Sequence, residues 1–338
     1  DLPADFAGGT VEISLQEFPT QRVAHVGASI GGNLQTMFQP MLTQQAGRTD
    51  WLGFDDGSRA APMGKLTGAA LGRAFPNVWS PYRQQVGSPN YSFSASFGDR
   101  AELKGKRLGY LVSLHYSADA QTRAEEIQVL NLVDTAQGPQ LRPLVQFGSD
   151  DGAFAAGTGR YSVRSTEGVN WGAMGTAALQ LAPLHRLSLT ALFSQSADRE
   201  TRIYQGVSQE QFSEIWNSRL RFVSRSLGLV QLRGSHHFEP AQRSPSDLDW
   251  SASYSVAARE EPDNREVTYL KKDDGLFHFT PKGQSGQRFF ASNLEHQVAA
   301  RIDFSQGFRQ WQGLLSAIKV GAAARVRLRD FQARRFKF

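Results

Sequence analysis

In Ile318-Lys319-Val320-Gly321-Ala322-Ala323-Ala324-Arg325-Val326-Arg327-Leu328-Arg329 every second side chain is apolar: Ile318, Val320, Ala322, Ala324, Val326 and Leu328 take one face, while Lys319, Gly321, Arg325, Arg327 and Arg329 take the other. A period of two belongs to a β-strand, because successive Cβ atoms point to opposite sides of a sheet. The alternating stretch extends from Leu315 to Phe331. That exceeds the ~5–6 residues of an ordinary soluble strand and suffices for the ~9–11 that a tilted strand needs to cross a bilayer.

The same period recurs on either side. Tyr91, Phe93, Ala95 and Phe97 oppose Ser92, Ser94, Ser96 and Gly98, and Leu108, Tyr110, Val112, Leu114 and Tyr116 alternate with Gly109, Ser113, His115 and Ser117. Trp171–Leu181, Leu187–Phe193, Trp250–Val256 and Val298–Phe304 repeat it, and helical spacing is nearly absent. Counting from Val23–Leu34 gives nine candidate strands, the sixth being Leu220–His237, where the alternation slips and a bulge is expected. The apolar faces end in Tyr, Trp or Phe, and the opposite faces carry Ser, Gly, Gln and Arg. A soluble sandwich also alternates, but aromatic ends and a small polar second face suit a membrane barrel with a polar interior.

Connection lengths add to this. Short ones are expected at Asp99–Lys106, Pro183–His185, Pro240–Asp247 and Gln306–Gly313, and long polar ones at Gln39–Pro89, Asp119–Asn170, Ser196–Ser218 and Arg259–Asn293. Outer-membrane barrels alternate short periplasmic turns with long extracellular loops in this way. The expected fold is therefore an all-β, antiparallel, up-and-down transmembrane β-barrel. An odd count of nine strands leaves the carboxyl end on the outer side, so the chain is expected to be part of a larger barrel. Composition agrees. The 338 residues include no cysteine, which excludes a disulfide scaffold, and 37 Lys plus Arg against 32 Asp plus Glu, scattered along the chain, give no footprint for nucleic acid.

Three segments then carry a family resemblance. Leu2-Pro3-Ala4-Asp5-Phe6-Ala7-Gly8-Gly9-Thr10-Val11-Glu12-Ile13 looks like the end of a plug domain. Asp50-Trp51-Leu52-Gly53-Phe54-Asp55-Asp56-Gly57-Ser58-Arg59-Ala60-Ala61-Pro62 is similar to a signature after the first barrel strand, and Arg329–Phe336 resembles a mid-barrel strand motif. Together they resemble the TonB-dependent outer-membrane receptors of Gram-negative bacteria, in particular the large Oar-like members. The resemblance implies that residues 1–19 are the plug end and linker and 20–338 the first nine or so strands of a family barrel. It also implies energised uptake, or export, of a solute across the cell outer membrane. The partners it implies are outer-membrane lipid and lipopolysaccharide, the remaining plug and barrel, and a periplasmic energy-coupling protein that acts through a segment outside this sequence. The transported solute is not named by these residues. A different class, an extracellular β-rich adhesion or carbohydrate-binding module, fits the same alternation.

Candidate site residues fall in two groups. Asp-Asp-Gly occurs at Asp55-Asp56-Gly57, Asp150-Asp151-Gly152 and Asp273-Asp274-Gly275, all in expected outer loops, with Trp51 beside the first. Oxygen-rich loops can hold Ca²⁺, but the turn reading is the stronger one, since Asp-Gly is a turn signal wherever it occurs and none of the three has the spacing of an EF-hand. Lys319, Arg325, Arg327 and Arg329 form a basic ladder directed to the interior, suited to anionic solutes or to structural pairing with acids. His236-His237 supplies two of the three or four ligands that zinc needs, and no nucleophile or nucleotide motif stands in its proper context, so no catalytic residue is assigned and no enzyme expected.

Overall fold

The computed structural model describes residues 22–338 apart from 63, 65, 85, 104, 125–126, 148–160, 209–212, 240–243 and 312. The plug-like residues 1–19 lie outside that range.

The chain builds β1 (Val23–Gly31), β2 (Met41–Thr43), a 3-10 turn at Asp50–Leu52, α1 (Gly68–Ala74), β3 (Tyr82–Gln84), β4 (Asn90–Leu103), β5 (Lys106–Ala124), β6 (Ile127–Thr135) and β7 (Gly138–Phe147). There follow β8 (Tyr161–Ala182), β9 (His185–Ser208), β10 (Ser213–Phe238), β11 (Ser246–Lys271), β12 (Phe277–Phe279), β13 (Gln287–Arg309) and β14 (Leu315–Lys337). Nine of these strands form one antiparallel path in the order β1-β4-β5-β8-β9-β10-β11-β13-β14, each beside its neighbour in sequence apart from the short insertions. They correspond one to one to the nine expected strands. Among the described residues β1 and β14 do not pair, so the sheet is open. Among the described residues no helix is long and apolar enough to cross a membrane.

Directly opposed residues share a face, so the registers can be followed across the whole sheet. One row runs Ala24, Phe97, Val112, Gly175, Ala191, Val230, Tyr254, Val298, Val326, one residue from each of the nine strands. Its larger side chains are bare: Phe97, Val112, Val230, Tyr254, Val298 and Val326 are all exposed. The next row on the other face runs His25, Ser96, Ser113, Met174, Leu192, Leu229, Ser255, Gln297, Arg327. Alternation along each strand thus becomes two surfaces of different chemistry.

Strand lengths and outer connections differ from expectation. β8 to β11 span 22 to 26 residues. The polar stretch Ser196–Ser218 is therefore almost entirely strand, with only residues 209–212 between β9 and β10. Most of Arg259–Asn293 is likewise strand, β11 running to Lys271 and β13 starting at Gln287. Strict alternation disappears there because polar and charged residues interrupt both faces, but the backbone ladder continues. Opposed charges line up across it, as in Glu167 with Arg199 and Glu200 with Arg219. The expected bulge is present: the β10–β11 register shifts between Leu220 and Ser224, and the β11–β13 register between Glu261 and Asn264.

Residues 32–89 form a strap, the feature that places the first site. Its neck is closed by β2 against β3 and by Met37 against Gly87. A Cβ on Gly87 would lie 2.3 Å from the Thr36 carbonyl oxygen, so the neck requires glycine there. The strap crosses the long-connection ends of the strands, on the face that carries the bare apolar row further down.

Candidate functional site

The first region is the clip Asp50–Arg59. Gly53 and Gly57 take positive φ, 76° and 85°, which reverses the chain twice within a few residues. The reversals turn the Leu52 and Gly53 carbonyls toward the sheet. Trp171 Nε1 donates to Leu52 O (2.8 Å), and Gln195 Nε2 (2.5 Å) and Ser224 Oγ (2.8 Å) both donate to Gly53 O. Tyr116 OH donates to Trp51 O (2.9 Å).

Arg59 ties the clip together. Its guanidinium donates to Asp50 (2.8 and 2.6 Å) and to Asp55 (3.0 Å) and stacks over the Phe222 ring at 4.3 Å. Arg199 adds a second cation to Asp50 (3.1 Å) and donates to Glu167 (2.6 Å). Burial acts to lower the Arg59 pKa, but the bonds to Asp50 and Asp55 outweigh it and leave the value raised. Asp56 is held well below the usual carboxylate range by Ser58, side chain first, and by the Arg48 and Ser58 backbone N–H groups.

Of the candidate residues of this segment, Asp55 bonds Arg59 and the Gly57 N–H and Asp56 bonds the backbone, as the turn reading of Asp-Gly expects, and Trp51 is used through its carbonyl while its ring stays exposed. Asp274 closes its own turn, accepting from the Leu276 N–H (2.9 Å) and pairing with His278 (2.7 Å), which together lower its pKa. Asp273 stands in the same turn, exposed. Asp150 and Asp151 lie outside the described residues. Among the described residues no three His, Asp or Glu side chains converge as cation ligands.

The second region is a groove on the polar face, with a volume of about 710 Å³, lined by Gln231, Ser251, Ser253, Arg301, Asp303, Lys319, Gly321 and Arg325 together with alanines of β13 and β14. Alternation puts Lys319, Arg325, Arg327 and Arg329 on this one face, as expected, and all four are exposed. Sequence reading missed their neighbours on β13. Arg301 donates to Asp303 twice (2.6 and 3.2 Å), Lys319 stands 4.0 Å from the same carboxylate, and Arg327 lies 3.2 Å from Glu295. Arg329 donates to Asn293. The i,i+2 spacing of Arg301 and Asp303 was visible, because on a strand it means one face.

Roles for Gln195, Ser224 and Arg199 were also missed. They are polar residues at the period of the apolar face, and only the strap explains them. No family model, no curated protein and no solved structure matches this chain.

Proposed function

We propose that the chain is a segment of a TonB-dependent outer-membrane receptor, comprising the plug end and the first strands of a transmembrane barrel, which takes up or exports a solute without chemistry of its own. One observation carries the reading: the apolar row that crosses nine consecutive antiparallel strands with its side chains uncovered. Water disfavours a bare apolar surface of that extent, whereas hydrocarbon accepts it. Its height is also suitable. On the face of β14 that carries the row the exposed apolar residues run from Ile318 to Leu328, and at ~3.3 Å per residue and a tilt of ~40° that is roughly 25 Å, the apolar band of an outer-membrane barrel.

The opposite face, with its serines, glutamines and cations, then lines the interior, and the clip and strap lie above the membrane against the outer wall. The TonB-dependent part of the reading rests on the resemblance of Asp50–Pro62 and the segments before β1 and after Leu328. Energy coupling would act through a segment outside this sequence.

Phase separation in a cloud-point detergent tests the membrane assignment. The purified chain enters the detergent phase and, expressed with an export signal, fractionates with the outer membrane and resists urea extraction. Recovery in the aqueous phase without detergent overturns the reading and leaves an extracellular binding module in its place.

A further inference from the structure

We infer that β13 and β14 carry a track for small polyanionic solutes, such as di- or tricarboxylates or phosphorylated metabolites, along the polar face; this rests on the barrel reading above and names the class of its cargo. From the level of Lys319 to that of Arg329 the polar-face positions of these two strands hold five cations, Lys319, Arg325, Arg327, Arg329 and Arg301, against two acids, Asp303 and Glu295. The remaining positions are Gln297, Ala299, Ser305, Gly321 and Ala323, and on β11 Ser251, Ser253 and Ser255 continue the wall, with Asp249 opposite Asp303 and Asp247, bonded to His237, opposite Ser305 at the Lys319 end. Hydroxyls, amides and guanidinium groups are donors that anion oxygens accept from, and the apolar side chains between them are alanines.

The spacing is what makes it a track. Positions two apart on a strand are ~6.6 Å apart, so Arg325, Arg327 and Arg329 stand at successive steps. At Gly321 and Ala323 β14 has no cation, and there β13 supplies one: Ala323 is opposed to Arg301, and Gly321 to Asp303. A Cβ on Gly321 would lie 2.5 Å from Asp303 Oδ1, so the Asp303 carboxylate reaches over that glycine. The bond to Asp303 orients the Arg301 guanidinium, and Lys319 stands beyond the same carboxylate. Cations therefore recur over ~33 Å of strand, the ten residue steps from Lys319 to Arg329. The ion pairs along the track are exposed, the Arg301, Lys319 and Arg327 side chains being half or more accessible. Such pairs are weak, so an arriving anion exchanges with them readily.

Equilibrium binding to the full chain in detergent tests this, with citrate as the polyanion and spermidine as a polycation of similar size. Citrate binds and spermidine does not, and the citrate affinity falls as ionic strength rises from about 0.01 to 0.15 M, where the screening length drops from ~30 to ~8 Å. The triple variant Lys319→Gln, Arg325→Gln, Arg327→Gln loses at least tenfold in citrate affinity. Neutralising Arg48, Arg100 and Arg123, which are exposed and off the track, changes it less than twofold. The charge-reversed triple, with Glu at the same three positions, gains spermidine binding, which an unfolded chain would not do selectively.

Wild-type affinity in the Gln triple, equal loss in the off-track control, or spermidine binding by the unaltered chain overturns the inference. Failure of citrate binding by a chain that enters the detergent phase defeats the track alone, whereas a chain that stays aqueous defeats the barrel reading on which it rests.

Discussion

One face of one sheet meets two different surroundings along its length. Toward the short turns, Val298 and Val326 sit opposite each other, 55% and 61% exposed. Toward the long connections, on the same face, Val163, Val169, Ala197, Leu220 and Phe222 are buried. The two hydrophobic clusters among the described residues both lie there, Leu42 with Val163, Ile203 and Trp216, and Val169 with Ala197, Phe222, Tyr116 and Trp171. The buried half is also the charged half, with Glu167 and Arg199 beside Asp50. A hydropathy reading would assign these two halves the other way round. What separates them is the strap: a chain segment satisfies the polar groups and covers the apolar ones at one end, and no described part of the chain does so at the other.

The strap is held at a second place that follows the same logic. Phe75 packs against Phe290, Phe336 and Phe338 and lies over the Arg288 guanidinium, which is buried and paired with Asp263. Arg265 and Ser218 donate to the carbonyls of Val78 and Trp79 (2.9 and 3.0 Å). Asp263, at φ 56°, sits in the β11–β13 register shift, so the bulge serves to bring Arg265 and Arg288 to one carboxylate.

The contrast between the halves can be broken from either side. Arg59→Ala leaves Asp50 and Asp55 nearly buried beside one cation fewer, and losing one partner of a buried pair costs about 3–5 kcal/mol. The expected outcome is release of the strap with the sheet intact, read as protease cleavage within residues 32–89 while the strand ladder keeps its circular dichroism. Intact resistance would show that the clip does not hold the strap.

Val298→Arg attacks the bare half. At the middle of a lipid-facing band it lowers stability by about 2–4 kcal/mol, measured by reversible denaturant unfolding in lipid vesicles. An effect near zero would mean the row faces water.

Acid gives a graded version for the covered half. The Asp56 carboxylate titrates below its ordinary value, so it favours the folded turn above the unfolded pKa of about 3.9. That contribution is lost as the pH falls below this value toward the lower folded one. Protease sensitivity of the strap should therefore be flat from pH 7 to 5 and rise only in stronger acid. A rise already near pH 6 would point to a different group.

The smallest effect is expected from Trp51→Ala. The ring is 61% exposed and the residue is anchored through its carbonyl, so stability should change by less than ~0.5 kcal/mol in the same denaturation measurement. A larger loss would place the ring in a contact within the fold.

Much of this was legible in the chain. The nine strands, their order and the slip within Leu220–His237 follow from the period alone, since a half-covered sheet imposes period two wherever its faces differ. The upper ends of β8 to β11 were not legible, because there charged and polar residues such as Glu167, Arg199 and Gln195 interrupt the apolar face and blur the contrast that the period depends on. In the Asp50–Pro62 segment the acidic turns could be seen, but not that Arg59 would bind Asp50 and Asp55 or that Gln195 and Ser224 would reach the Gly53 carbonyl. Those contacts run from side chain to backbone across more than a hundred residues of sequence, and a carbonyl oxygen has no signature in sequence.

By itself, then, the sequence determined that the chain forms long antiparallel strands with one apolar and one polar face, because side-chain direction on a strand is fixed by position. Only the tertiary structure decided which part of the apolar face is left bare and which is sealed by the strap. It alone also placed Arg301 in the gap that Gly321 and Ala323 leave in the ladder of β14. Both are matters of which distant segments meet, and that depends on strand register and loop path rather than on any local pattern.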